Sequence, residues 1–263
     1  NTGGGLSVQS GEGTATTSGS IVIRSANAGT AGTSGMLVFS TGTSSSGNSG
    51  GLIIGTGVAT GGRGGMVTIS VGSGTSGMGG ALSMLSGRST INSGGSLNVE
   101  SGEGTATSSG VIAIRSANAG VTGVSGRLVF SSGSASSGNS GALFVGSGVA
   151  TGGRGGMISI SVGSGTSGTG GAVSVLSGRS TVNSGGALNV ESGEGTATSS
   201  GVISIRSANA GVTGVSGRLV FSSGSASSGN SGALYLASGA ATGGRSGIVS
   251  VSVGSGTSGS GGA

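Results

Sequence analysis

Apolar residues stand in alternating pairs along the chain, each pair set in a stretch rich in Gly, Ser and Thr. Taking the second apolar residue of each pair as an anchor gives Val8, Ile23, Phe39, Ile54, Ile69, Met84 and Val99, and the series continues through Ile114, Phe130, Val145, Ile160, Val175, Val190, Ile205, Phe221 and Leu236 to Val251. Successive anchors lie 15, 16, 15, 15, 15 and 15 residues apart, a set that sums to 91. Two residues before each anchor the residue is always Leu, Ile or Val, as at Leu6, Ile21, Leu37, Leu52, Val67 and Leu82. Alternation with period two predicts a strand with one covered face.

Glycine punctuates the pattern in two columns. Three residues after each anchor stands Gly or Ala (Gly11, Ala26, Gly42), and four residues before the next anchor stands Gly (Gly19, Gly35, Gly50). Such columns mark left-handed backbone or a close approach of two chain segments. A second short segment follows the first corner, with small residues such as Gly104, Ala106, Ala150 and Gly152 at its inward positions. The chain is thus expected to be all-β: a β-solenoid of about 17 coils, 15 residues each with one 16-residue coil in every six, and a flattened cross-section. Two aliphatics per coil fall well short of offsetting the order imposed on fifteen residues, so no coil is expected to fold without its neighbours. With a spacing of about 4.8 Å per coil, the stack would run about 80 Å.

The longer period is a tandem duplication. Residues 95–172 and 186–263 are identical at 67 of 78 positions, and several differences, such as Val145/Leu236 and Ile158/Val249, keep apolar character. The long repeats are 4–94, 95–185 and 186–263, the last incomplete, and 1–263 is expected to be a single continuous solenoid, a fragment of a longer array.

Composition narrows the chemistry. Gly accounts for 68 of 263 residues, and Cys, Pro, Trp and His are absent. All ten basic residues are Arg and all five acids are Glu. A nucleophile assisted by His, Cys or Asp cannot be assembled, nor a zinc site of the N/S kind, nor a calcium repeat that needs Asp. No catalytic, cofactor-binding or metal residue is therefore assigned, and the chain is read as non-enzymatic. A polysaccharide-active β-helix enzyme is set aside because its acid–base residues are missing. The net charge of +5 is scattered and has only four Phe and Tyr235 beside it, which argues against nucleic acid. No apolar run is long enough to span a membrane.

Several columns look chemical. Glu100 and Arg115, and Glu191 and Arg206, lie fifteen residues apart, as do Arg88 and Glu103, and Arg179 and Glu194. These are read as structural ladder pairs between adjacent coils, each of small energetic weight. The Ser/Thr column at Ser10, Ser25, Thr41, Thr56 and Ser86, interrupted by Val71, is expected to face inward and bond to other hydroxyls or to backbone. Gly72-Ser73-Gly74-Thr75-Ser76-Gly77 matches a dinucleotide fingerprint, as do 163–168 and 254–259, but no acidic residue follows at the required distance, so each is read as a corner. The outward column Thr14, Ser45, Thr60, Thr75, Thr90 and Thr105 resembles the threonine arrays of ice-binding β-solenoids. Thr14-Ala15-Thr16 fits, but the second rank continues as Gly47, Gly62, Gly77 and Asn92. Ile53, Phe144 and Tyr235 occupy one outward position in the three long repeats and form a candidate lateral contact.

The units Ser-Gly-Asn-Ser-Gly-Ala-Leu and Val-Gly-Ser-Gly-Thr-Ser-Gly-x-Gly-Gly-Ala resemble the Gly/Ser/Thr-rich tandem repeats of large extracellular proteins, such as surface proteins of heterokont algae and adhesin-type solenoids. The resemblance implies a structural or adhesive role outside the cell and carries over no functional residue. Uncapped solenoid ends would template further stacking. The expected function is a fibre, filament or surface stalk built by coil-on-coil stacking, with the chain itself as partner and a polysaccharide or ice surface as a further one. The alternative is an ice-binding solenoid.

Overall fold

The computed structural model describes residues 3–257 and divides into two units, Asn1–Phe130 and Ser131–Ala263. In the first unit the chain bends at 14–16, 30–32, 45–47, 60–62, 75–77, 90–92, 105–107 and 121–122. In the second it bends at 136–138, 151–153, 166–168, 181–183, 196–198, 212–213, 227–229 and 242–244. The spacing follows the apolar anchors, so the period read from the sequence is also the period of the backbone.

The expected solenoid is not what the backbone forms. Among the described residues there is no strand, no sheet and no helix. The all-β, stacked-coil reading is corrected accordingly, and the length computed from it has no ladder to rest on. The hydrogen bonds explain why. Instead of reaching the next unit, backbone donors close a loop inside their own: Gly19 N–H donates to the Gly11 carbonyl at 3.0 Å, Gly95 to Gly87 at 2.8 Å, and Gly110 to Gly102 at 2.9 Å. In the second unit Gly186 to Gly178 and Gly201 to Gly193 repeat the closure, each at 2.9 Å. Closing a loop of nine residues costs little chain entropy, whereas a ladder must hold whole units in register. With apolar residues at only 32% and glycine so abundant, the covered apolar surface does not offset that ordering.

Burial agrees. No described residue is buried. The accessible surface is 25797 Å², where a compact chain of this mass would expose about 10,000 Å² and an extended one about 34,000 Å². The aliphatic column is only partly shielded, as at Leu37, which is 48% exposed. Half-buried positions are few. They include Ser10, Ser101 and Ser192, and three residues further on Gly13, Gly104 and Gly195. These glycines sit where the returning chain passes closest. A Cβ on Gly13 would lie 2.6 Å from the Thr17 carbonyl oxygen, and one on Gly104 or Gly195 would meet the Ser108 or Ser199 carbonyl oxygen closer still. The expectation for the two glycine columns is met in part. A Cβ on Gly35 or Gly110, four residues before the next anchor, would lie 3.1 or 3.3 Å from the facing serine Cβ, whereas Gly11 and Gly42, three residues after an anchor, have open space. The only positive φ values among the described residues, at Gly138 and Gly229, fall in neither column.

Candidate functional site

At four positions, Ser10, Ser25, Thr56 and Ser147, the Ser/Thr column closes its loop from one side. Ser10 Oγ donates to the Gly19 carbonyl at 2.9 Å, Thr56 Oγ1 to Gly65 at 3.4 Å, and Ser147 Oγ to Gly156 at 3.0 Å. The expected bond to backbone is present, made within one unit rather than between units. Where the column carries Val71 or Val162, no hydroxyl is available, and a Cβ on the facing Gly80 or Gly171 would run into the valine methyl.

The sixteen-residue units differ. Ser25 Oγ donates to the Gly35 carbonyl at 2.8 Å across ten residues instead of nine, so the loop it closes is wider. A Cβ on Gly35, Gly126 or Gly217 would lie 3.1 Å from the Cβ of Ser25, Ser116 or Ser207, so the two segments approach equally closely in all three copies, with the hydroxyl bond made at Ser25. The extra residue is taken up in a turn. Gly123 N–H reaches the Gly120 carbonyl at 3.5 Å, and the Ala119 and Ala210 methyls stand 3.4 and 3.5 Å from where a Cβ on Gly123 or Gly214 would be.

Just before this turn, each copy holds an open concavity. Arg24, Ser25, Ala26 and Asn27 line one of about 310 Å³, Arg115 to Asn118 one of about 280 Å³, and Arg206 to Asn209 one of about 240 Å³. The Arg and Asn side chains are exposed in all three. The guanidinium offers a planar fork of donors, and the amide offers both donor and acceptor. Sequence reasoning treated Arg115 and Arg206 as ladder partners and did not single out the concavity. The signal was present: Arg-Ser-Ala-Asn is identical in all three copies and stands where the unit is one residue longer.

The remaining sequence-derived residues are also exposed. Glu100, Arg115, Glu191, Arg206, Arg88, Glu103, Arg179 and Glu194 all face solvent. Among the described residues every side-chain hydrogen bond is made by a Ser or Thr hydroxyl, so none of the four Glu/Arg pairs is joined by one. Ile53, Phe144 and Tyr235 are 93%, 92% and 90% exposed, more than the apolar residues on either side of each. The outward Thr column opens the bends: Thr14, Ser45, Thr60, Thr75, Thr90 and Thr105 are each the first residue of one. Thr14-Ala15-Thr16 is therefore itself a bend, which does not present two hydroxyls on a flat extended segment. The fingerprint-like glycines at 72–77 and 163–168 hold the bends at 75–77 and 166–168, and the third copy, 254–259, runs beyond the described residues.

Among the described residues no group of three or more His, Cys, Asp or Glu could hold a metal ion, and no helix is long and apolar enough to cross a membrane. Comparison with family models, with curated proteins and with solved structures finds no match to this chain.

Proposed function

We propose that this chain is a non-enzymatic structural protein that associates with copies of itself to build extracellular fibrous or surface material. The observation that carries the reading is the uncovered apolar array. Ile53, Phe144 and Tyr235 recur every 91 residues, and each is at least 90% exposed. Soluble monomers rarely leave large apolar side chains open in a regular series, and such surfaces mark contacts with a partner. A second copy is the occupant that carries the same three residues, so each copy offers the other three like contacts. The likeness of the units to Gly/Ser/Thr-rich extracellular repeats supports the setting. Scarcity of charge, 6% of residues, leaves little repulsion between copies.

The test is sedimentation and electron microscopy of the 263-residue chain across a concentration series. Assemblies that grow with concentration are expected, and the triple variant I53K/F144K/Y235K should abolish them. A chain that stays monomeric throughout, or assemblies untouched by the triple variant, would overturn the proposal.

A further inference from the structure

We infer that the three Arg-Ser-Ala-Asn concavities each take one acidic sugar unit of a carboxylated or sulfated polysaccharide. The inference goes beyond self-association and uses different residues. Three observations support it. The concavity recurs in all three copies with the same four residues, at 24–27, 115–118 and 206–209, in the units that are one residue longer. Its volume, about 240 to 310 Å³, is at or below the lower end of small-molecule sites, which suits one ring with one acid group rather than a larger ligand. Its arginine is not engaged elsewhere by a side-chain hydrogen bond. Arg24 lacks even a register neighbour of opposite charge, since Gln9 stands where the other copies have Glu100 and Glu191.

The lining matches the two halves of such a ligand. A guanidinium binds a carboxylate or sulfate through paired, charge-assisted hydrogen bonds. The Asn27 amide can both donate to and accept from ring hydroxyls. The Ser25 hydroxyl, whose proton is committed to the Gly35 carbonyl, keeps its lone pairs for a sugar O–H. A nucleic acid is disfavoured on the same ground: one Arg per concavity, with no aromatic residue among its lining, offers neither a charge track nor a stacking platform. Each site alone is weak. Repetition every 91 residues lets a polymer engage several sites at once, so a chain of acidic sugars gains what a single sugar does not.

The experiment is isothermal titration calorimetry of the full chain, at concentrations below any self-association, with polygalacturonate, dextran sulfate, neutral dextran and poly(dT). Binding to either acidic polymer, with neutral dextran and poly(dT) about tenfold weaker or more, is expected, and the polymer that binds identifies the acid group. R24Q/R115Q/R206Q should weaken that binding about tenfold or more, because each site loses its charge-assisted pair. R63Q/R154Q/R245Q removes the same charge from arginines outside the concavities and should change it by less than about twofold. Equal loss in the two triple variants, equal binding of poly(dT), or no binding of either acidic polymer would overturn the inference. None of these outcomes bears on the apolar array at Ile53, Phe144 and Tyr235, so the two readings fail separately.

Discussion

The bend at 45–47 and its counterparts at 136–138 and 227–229 occupy one position of the long repeat and reach it by different means. In the first copy Ser44 Oγ accepts a hydrogen bond from Gly47 N–H at 3.0 Å, a local side-chain turn. In the other two copies the residue is Ala135 or Ala226, which has no hydroxyl to offer. There the chain turns on glycine instead: φ is +129° at Gly138 and +124° at Gly229, the only positive values among the described residues. One oxygen atom separates a bend held by a hydrogen bond from a bend held by a backbone conformation reserved largely for glycine. Where the chain bends is set by the fifteen-residue period, and how it bends is set by a single side chain.

The sharpest way to break the comparison is to forbid the glycine conformation. G138A or G229A should destabilise its bend by about 1–3 kcal/mol, since a Cβ is strained at positive φ. G47A should cost less, because only the Ser44 oxygen, 3.3 Å from the new Cβ, has to give way. Amide exchange around each bend measures both, and equal effects at Gly47 and Gly138 would erase the distinction. Next in size is S44A, which removes the hydroxyl acceptor at about 0.5–1.5 kcal/mol. It should move Gly47 to positive φ, visible in the coupling between its amide and α protons. The smallest effect is expected from A135S and A226S, a few tenths of a kcal/mol at about the lower limit for an exposed hydrogen bond. Their mark is conformational: Gly138 and Gly229 should leave positive φ, and a coupling unchanged from the parent chain would show that the hydroxyl is not what decides the bend.

A second contrast separates the fifteen-residue from the sixteen-residue unit. In the loop closed by Gly110 and Gly102, Ser101 and Gly104 are half-buried and the returning chain leaves no room for a Cβ on Gly104. In the unit that contains Arg115, the extra residue widens the loop, the turn at 121–122 replaces the bend, and the concavity opens. An insertion of one residue converts a closed loop into one with an open concavity.

Much of this is legible in the residues themselves. The anchors at Val8, Ile23, Phe39 and onward predicted the bend spacing, because alternation of apolar and polar residues interrupted by glycine is a local property of the chain. The bond of the Ser/Thr column to backbone was legible too, since Ser10, Thr56 and Ser147 do make it, but the inward placement was not, because Thr56 and Ser147 are exposed. The candidate concavity was visible only as an unremarked identity of Arg-Ser-Ala-Asn among three copies. Its meaning depends on a loop whose width comes from the Ser25–Gly35 closure, a relation between residues ten apart.

By itself the sequence determined the period, the positions of the bends, the absence of His, Cys and Asp chemistry, and the recurrence of Ile53, Phe144 and Tyr235. The three-dimensional structure alone decided that these periods close into separate loops rather than pair into a ladder. The physical reason is that a strand is not a property of its own residues. It exists only when another backbone comes within hydrogen-bonding distance, and here Gly19, Gly95, Gly110, Gly186 and Gly201 give their N–H groups to carbonyls of their own units.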